Sequence, residues 1–188
     1  MTVTVYCSSY ECNEKYREAV REFARMASLN NYRVICGGSK RGLMGILIDQ
    51  MNLLNANICG VIPIFMKDIE IEHKELRDIE YVDTMSQRKE VLRSGADAII
   101  AFPGGIGTLD EFIESLVLKR LGRLGKTKLI LYDIDGFWTP FVDLMNHLKS
   151  HNMVTENDIE ELYIVSSPEQ LKEALEDKNK RIPARGCQ

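Results

Sequence analysis

Residues 98–111, with the sequence AIIAFPGGIGTLDE, indicate the fold most clearly. The run from Ala98 to Phe102 is apolar at every position, which is typical of a central strand buried on both faces of a sheet. Pro103 and the glycines after it end the strand, and a segment of helical period then continues to Leu121. Parallel sheets are built from such strand, turn and helix units, so this stretch predicts an α/β protein.

The same alternation of short apolar runs and helical segments extends along the rest of the chain. The apolar runs predict strands at 2–7, 33–36, 57–62, 79–82, 98–102, 128–132 and 163–165. The helical period predicts helices at 13–29, 42–55, 86–94, 108–121, 139–150 and 168–176. Seven strands and six helices predict one three-layer α/β/α sandwich on a mostly parallel sheet. The irregular stretch 63–78 is long enough to form a binding loop.

The length and composition are those of an ordinary globular domain. With 188 residues, 45% of them hydrophobic and 28% charged, the chain can form one core, and we expect one domain over 1–176. Residues 177–188 contain four basic side chains without periodicity, so they predict a flexible basic tail. The net charge of −4 argues against a nucleic-acid partner. No stretch approaches the ~20 apolar residues of a membrane span, so no membrane partner is expected.

The cysteines and histidines do not suggest a metal site. The five cysteines are odd in number and contain no C-x-x-C pair, which predicts neither a disulfide framework nor a zinc site. His147 and His151 are four residues apart on a predicted helix, but no third ligand is nearby, so two exposed histidines are expected. Reduced thiols and the lack of a targeting pattern at the start of the sequence favour a cytoplasmic protein.

The glycine turn after the central strand predicts an anion site. Ligands of open parallel sheets bind beyond the carboxyl ends of the strands, where this turn must lie. Gly104, Gly105 and Gly107 leave backbone N–H groups accessible, and Thr108 stands at the start of the helix, whose dipole favours a phosphate. The alternative is a glycine-rich turn that only permits tight packing.

Two carboxylates follow the glycines in the first turn of this helix. Asp110 is explained equally well as surface charge that complements the helix dipole. Glu111 is three residues after Thr108 and shares a helix face with Leu118, so we expect it to point inward, close to the glycine turn. A carboxylate next to a bound sugar phosphate can stabilise a cationic sugar or orient a water molecule.

Two adjacent basic residues, Arg88 and Lys89, stand at the start of the predicted helix 86–94. Positive charge at a helix start opposes the helix dipole, so helix stability does not explain them. A bound anion would, because arginine can hold a phosphate with two hydrogen bonds and lysine adds a point charge. The alternative is a solvated pair in which Lys89 faces water.

Three other chemistries find little support in the sequence. The turn at 36–45 has Ser39 at the second glycine position of the dinucleotide-binding fingerprint, so a dinucleotide site is weakly supported. A Ser-His-Asp or Cys-His triad cannot be assembled from the spacing, and acyl transfer is not favoured. Amino-acid decarboxylation normally uses pyridoxal phosphate on a lysine, and no lysine has a context that singles it out.

The motifs together resemble the "lonely guy" (LOG) family of cytokinin riboside 5′-monophosphate phosphoribohydrolases. The most specific is P-G-G-x-G-T-x-x-E, which is complete from Pro103 to Glu111, with Arg88 and Lys89 upstream. The resemblance covers about 3–175. Other segments that carry it are Val5-Tyr6-Cys7-Ser8-Ser9, Gly37-Gly38, Gly42-Leu43-Met44-Gly45, Gly60-Val61-Ile62-Pro63 and Asp135-Gly136-Phe137.

The resemblance implies a Rossmann-like enzyme that hydrolyses the N-glycosidic bond of a nucleoside 5′-monophosphate, such as AMP or an N6-modified AMP. The products are the free base and ribose 5-phosphate, and no cofactor or metal is required. It implies that Arg88 and Glu111 are the catalytic pair, and that the protein is a homodimer. The residues implied to bind substrate are Lys89, Gly104, Gly105, Gly107, Thr108, Met85, Gly38 and Asp110.

Two positions depart from the family pattern. Ser86 stands where the family has histidine in M-H-x-R-K, and Ser39 stands where it has a third glycine, followed by Lys40 and Arg41. Arg88 and Glu111 are kept, which favours retained chemistry with an altered preference for the base. The alternative is a nucleotide-binding or sensing module that keeps the pocket without turnover.

Overall fold

Seven parallel strands form the centre of the molecule in a computed structural model that describes residues 1–69 and 72–176. Their order across the sheet is β4-β3-β2-β1-β5-β6-β7, and every neighbouring pair is parallel. The strands are β1 Thr2–Tyr6, β2 Arg33–Cys36, β3 Ile58–Pro63, β4 Asp78–Val82, β5 Ala98–Ala101, β6 Lys128–Tyr132 and β7 Leu162–Val165.

In the described part of the chain, seven α-helices connect and flank these strands. They are α1 Glu14–Leu29, α2 Gly42–Leu53, α3 Met85–Arg93, α4 Ile106–Arg120, α5 Thr139–Ser150, α6 Glu156–Glu160 and α7 Pro168–Glu176. Two short 3₁₀ helices, Ile64–Ile69 and Ile134–Gly136, follow β3 and β6. The start of α3 is fixed by a capping box in which Thr84 and Gln87 bond each other's backbone.

The core consists of two apolar layers, one on each face of the sheet. Side chains of α1, α2 and α7 cover one face, and side chains of α3, α4, α5 and α6 cover the other. The central strand β5 is fully buried along Ala98–Ala101 because both layers cover it. The chain therefore forms a three-layer α/β/α sandwich.

The strand order reverses beside β1, which pairs with β2 on one side and with β5 on the other. The connections that leave the carboxyl ends of β1 and β5 therefore diverge to opposite faces of the sheet. Such a reversal opens a crevice at the strand ends, and this is where open α/β sheets bind ligands. The loop after β1 and the glycine turn after β5 both lie at this crevice.

The predicted architecture is confirmed, with differences in detail. All seven strands and all six predicted helices are present within a few residues of the expected bounds, and the sheet is entirely parallel where a mostly parallel one was predicted. Helix α6 was not predicted, because five residues are too few to show a period; a capping box between Thr155 and Asp158 starts it. The irregular stretch 63–78 contains a 3₁₀ helix. The predicted tail at 177–188 lies outside the described residues.

Candidate active site

A cavity of about 450 Å³ opens at the crevice beside β1. Its walls come from the loop after β1, the turn after β2, the 3₁₀ helix after β3, and helices α2, α3 and α4. The lining residues are Cys7, Ser8, Ser9, Tyr10, Gly37, Ser39, Met44, Met66, Arg88, Gly105, Ile106, Gly107, Thr108 and Glu111. The cavity thus joins the glycine turn, Arg88 and Glu111 in one space.

Arg88 and Glu111 form a buried ion pair in the wall of this cavity. The Arg88 Nη1 atom lies 2.6 Å from Glu111 Oε1, and each residue is only 9% exposed. The guanidinium is held from a second side because Arg88 Nε donates to the Val61 carbonyl at 3.1 Å. Its Nη2 atom occupies the space that a Cβ at Gly37 would need. The cation is therefore fixed in position by the protein before any ligand arrives.

The first turn of α4 presents unpaired backbone donors to the cavity. Gly105 is the N-cap, and no side chain caps the helix. The N–H groups of Ile106, Gly107 and Thr108 have no acceptor four residues earlier in the helix, so they are free to bind an anion. No atom lies within 4 Å of the position that a Cβ would take at Gly105 or Gly107, which leaves the backbone open to close approach.

Burial and the neighbouring cation act in opposite directions on Glu111. Removal from water raises the pKa of the Glu111 carboxyl above its ordinary value, and the charge and hydrogen bond of Arg88 offset part of that increase. Perturbed carboxyls in a cavity are common among catalytic groups. Burial also raises the pKa of the Cys7 thiol, and it raises that of Cys36 to about 12, so neither thiol is an activated nucleophile.

The structure brings together half of the residues predicted to form the site. Arg88, Glu111, Gly105, Gly107 and Thr108 line the cavity. The other five lie outside its lining; they are Lys89, Asp110, Met85, Gly38 and Gly104.

Four of these five residues contact other parts of the protein. Lys89 Nζ lies 3.1 Å from Asp110 Oδ2 and 2.6 Å from Glu114 Oε2, so two carboxylates hold its charge on the α3/α4 surface. Met85 is exposed. At Gly38 and Gly104, an added Cβ would collide with Ile62 and Thr108 respectively, which shows that both glycines are packed against protein.

Sequence reasoning did not assign the other walls of the cavity. Ser8, Ser9 and Tyr10 follow the strand at which the sheet order reverses, so the rule that ligands bind at such a reversal could have found them. Met44 and Met66 show no such signal, because a methionine in a helix or loop resembles any other apolar residue. They reach the cavity only through tertiary packing.

The described residues contain neither a cluster of metal-ligating side chains nor a membrane-spanning helix. Within 1–69 and 72–176, no group of three or more metal-ligating side chains comes together. The exposed rings of His147, on α5, and His151, just after it, lie 4.6 Å apart in an edge-to-face arrangement. His73, in the stretch 63–78, is buried and bonds Asp49 at 3.0 Å, away from the cavity lining. No helix in the same ranges combines the length and apolar character needed to cross a bilayer.

An entirely parallel sheet covered by helices on both faces, with an uncapped helix start at the point where the strand order reverses, defines a Rossmann-like protein. A family model described as "possible lysine decarboxylase" matches residues 44–175. Cytokinin riboside 5′-monophosphate phosphoribohydrolase of Rhodococcoides fascians is 31% identical over 156 residues, which are 82% of this chain and 78% of the relative. Cytokinin riboside 5′-monophosphate phosphoribohydrolase LOG2 of Arabidopsis thaliana is 30% identical over 178 residues, which are 93% of this chain and 82% of the relative. The chain therefore belongs to the LOG family.

The fold also matches solved structures. The molybdenum cofactor carrier protein of Chlamydomonas reinhardtii superimposes with a TM-score of 0.68, covering 94% of this chain and 98% of that one, at 15% sequence identity. At that level of identity the likeness concerns the fold alone. It confirms the Rossmann-like architecture that the sequence resemblance implied.

Proposed function

We propose that the chain hydrolyses the N-glycosidic bond of a nucleoside 5′-monophosphate, AMP or an N6-modified AMP, to the free base and ribose 5-phosphate. The observation that carries the proposal is the Arg88–Glu111 pair, 2.6 Å apart, in the same cavity as the open first turn of α4. The names of the relatives in Rhodococcoides fascians and Arabidopsis thaliana support the same reaction class.

The phosphate binds at the start of α4 in this proposal. The free N–H groups of Ile106, Gly107 and Thr108 supply donors, and the helix dipole supplies a favourable field for a dianion. Binding of this remote group supplies free energy that positions the ribose against Glu111. A nucleoside without the phosphate is therefore expected to react poorly.

Bond cleavage uses the carboxylate of Glu111. The C1′–N bond breaks with its electron pair moving to the base, and the ribose develops the positive charge of an oxocarbenium ion. Glu111 stabilises this charge and then accepts a proton from the water whose oxygen bonds C1′. The base takes up a proton from solvent as it leaves, and Glu111 then releases its proton to solvent. The raised pKa of Glu111 makes it a better proton acceptor than an ordinary glutamate. Arg88 holds the carboxylate in place and adds positive charge for the phosphate.

The family resemblance also implies substrate contacts for Lys89, Asp110, Met85, Gly38 and Gly104. These remain predictions, because all five lie outside the lining of the cavity. The ion pairs of Lys89 with Asp110 and Glu114 would have to open for its ammonium to reach a phosphate.

A homodimer in the cytoplasm is part of the proposal. Ile106, Ile113, Val117 and Leu121 are exposed apolar residues along α4, and each is at least 44% exposed. An exposed apolar surface of this kind is typical of a protein contact. Light scattering at micromolar concentration is expected to give twice the chain mass, and a monomeric mass would contradict the dimer. The free thiols of Cys7, Cys12, Cys36 and Cys59 favour a reducing compartment.

A second candidate is a module that binds the nucleotide without turnover. Ser86 in place of the family histidine and the engagement of Lys89 by two carboxylates favour it. Decarboxylation, which the description of the family model names, normally needs a lysine that carries pyridoxal phosphate. The cavity lining contains no lysine among the described residues.

The test is incubation of the purified protein with AMP, other nucleoside 5′-monophosphates and the matching nucleosides. The proposal predicts equal amounts of base and ribose 5-phosphate from monophosphates, and little or no base from nucleosides. Stoichiometric binding of AMP without product after prolonged incubation would establish the binding module instead.

A further inference from the structure

Besides the hydroxyls of Ser8, Ser9 and Ser39, the walls of the cavity carry two chemical groups. The start of α4, Arg88 and Glu111 supply charge and hydrogen-bond donors, which suit a ribose phosphate. Tyr10, Met44 and Met66 supply apolar surface. A nucleoside 5′-monophosphate has the same division, since an anionic sugar phosphate is joined to a flat, uncharged base. With the phosphate at α4, the base is left to contact the apolar group.

Tyr10 is the one aromatic side chain that lines the cavity in the described part of the chain. It is 78% exposed, and no hydrogen bond, ion pair or ring contact to another described residue engages its side chain. The exposed ring of Tyr81, by contrast, has partners, because its hydroxyl donates to Glu72 and the Lys67 ammonium lies over its face. The Tyr10 ring therefore has a free aromatic face at the mouth of the cavity.

The backbone beneath this ring is fixed. The Tyr10 amide donates to Ser8 Oγ at 2.9 Å, and the Met44 amide donates to the Ser8 carbonyl at 3.4 Å. A Cβ at Gly42 would come within 2.6 Å of the Tyr10 carbonyl oxygen, and the φ of Gly42 is +59°, so only glycine allows the turn after β2 to pack against this loop. The backbone that carries the ring is therefore ordered before a ligand arrives, and binding has to fix only the rotation of the exposed side chain.

We propose that the Tyr10 ring is the platform on which the nucleobase of the substrate stacks, so that the site recognises the face of the base. The inference rests on the proposed function, because it concerns the second half of the same ligand. Stacking tolerates different edges, since every base presents a π face. Purines, with the larger face, are therefore expected to bind better than pyrimidines, and substituents on the edge of the base are accepted.

The test compares two ligands, AMP and ribose 5-phosphate, which differ only by the base. Dissociation constants are measured by calorimetry for Tyr10→Ala and Tyr10→Phe, each in the Glu111→Gln background that prevents turnover. Tyr10→Ala is expected to weaken AMP binding by roughly 10-fold or more. Its affinity for ribose 5-phosphate is expected to stay unchanged, and Tyr10→Phe, which keeps the ring, is expected to bind both ligands like the parent.

The outcomes separate this inference from the hydrolysis itself, because the titration requires no turnover. An equal loss of affinity for AMP and ribose 5-phosphate in Tyr10→Ala would overturn it, and so would unchanged AMP affinity. Tyr10→Ala could also give a lower molecular mass than the parent protein by light scattering, together with equal losses of affinity for both ligands. That result would show that the ring packs against a second copy of the chain. Failure of wild-type protein to cleave AMP, with the base-specific loss intact, would refute the proposed function and leave the platform standing.

Discussion

Two glycine-rich turns meet at the cavity, and apart from Gly104, which packs against Thr108, their glycines have opposite surroundings. In the turn after β5, the Cβ positions of Gly105 and Gly107 are empty to 4 Å. In the turn after β2, a Cβ at Gly37, Gly38 or Gly42 would collide with Arg88, with Ile62 or with the backbone of residues 8–10. One turn is open toward the cavity, and the other is filled by protein.

The difference separates two reasons for glycine that look the same in a sequence. The open turn leaves backbone donors for a ligand to approach, at the start of a helix. The filled turn gives the Arg88 guanidinium its position and supports the loop that carries Tyr10. Substitutions in the open turn should therefore change ligand binding, and substitutions in the filled turn should change the arrangement of the protein itself.

Arg88→Ala is expected to have the largest effect, because it removes the group that the filled turn positions. The Glu111 carboxylate would lose its hydrogen-bonded partner at 2.6 Å and the substrate would lose a cation. We expect kcat/KM for AMP to fall by roughly 10²–10³-fold, the cost of removing one electrostatic group from an active site. Steady-state kinetics measures this, and an unchanged kcat/KM would exclude Arg88 from the site.

Gly37→Ala is expected to lower kcat by roughly 10²-fold, because a misplaced group can cost that much even when its chemistry is intact. The new methyl group would take the space of the Arg88 Nη2 atom and push the guanidinium away from Glu111. Gly60→Ala is the matched control, since its Cβ would collide with Leu76, which does not line the cavity. Equal losses of kcat in both variants would show a general packing defect.

Gly107→Ala tests whether the turn after β5 is open to a ligand. No atom obstructs the added Cβ, and alanine is the better residue within a helix, so we expect the free energy of unfolding to rise by about 0.5–1 kcal/mol. The methyl group would obstruct the phosphate, and KM for AMP is expected to rise by roughly 10-fold, about 1.4 kcal/mol of binding. Chemical denaturation and kinetics measure the two effects. A lower free energy of unfolding would show that protein atoms fill the space at the Cβ position of Gly107.

The smallest expected effect is on the pH dependence of activity. Since burial raises the pKa of Glu111 and the reaction needs the ionised carboxylate, activity should be lost as the pH falls through that raised value, above the ordinary glutamate range. Arg88 opposes the increase, so Gly37→Ala should move the acid limb to still higher pH.

Other ionisable groups also face Glu111. They are Lys89 of α3, Asp110 of α4, Tyr6 and Cys7 at the end of β1, and Cys36 of β2. An acid limb of kcat/KM at the same pH in wild type and Gly37→Ala would contradict the arrangement.

The sequence was sufficient to predict the sheet, because short apolar strands and amphipathic helices repeat along it with little ambiguity. It also predicted the positions of Arg88 and Glu111, each near the start of a helix. The contact between these two side chains could not be predicted, because the residues are 23 positions apart in the sequence and the contact depends on the rotamers of both. The ion pairs of Lys89 and the place of Met66 in the cavity depend on packing in the same way. Periodicity carries information about elements, and much less about which side chains meet.

The most direct measurement follows adenine release from AMP by wild-type protein and by Glu111→Gln, with AMP binding titrated in parallel. We expect turnover by the wild type, a kcat at least ~10²-fold lower in Glu111→Gln, and AMP binding by both proteins. Near-normal turnover by Glu111→Gln, or no adenine from wild-type protein that binds AMP, would contradict the central claim that this pair carries out the hydrolysis.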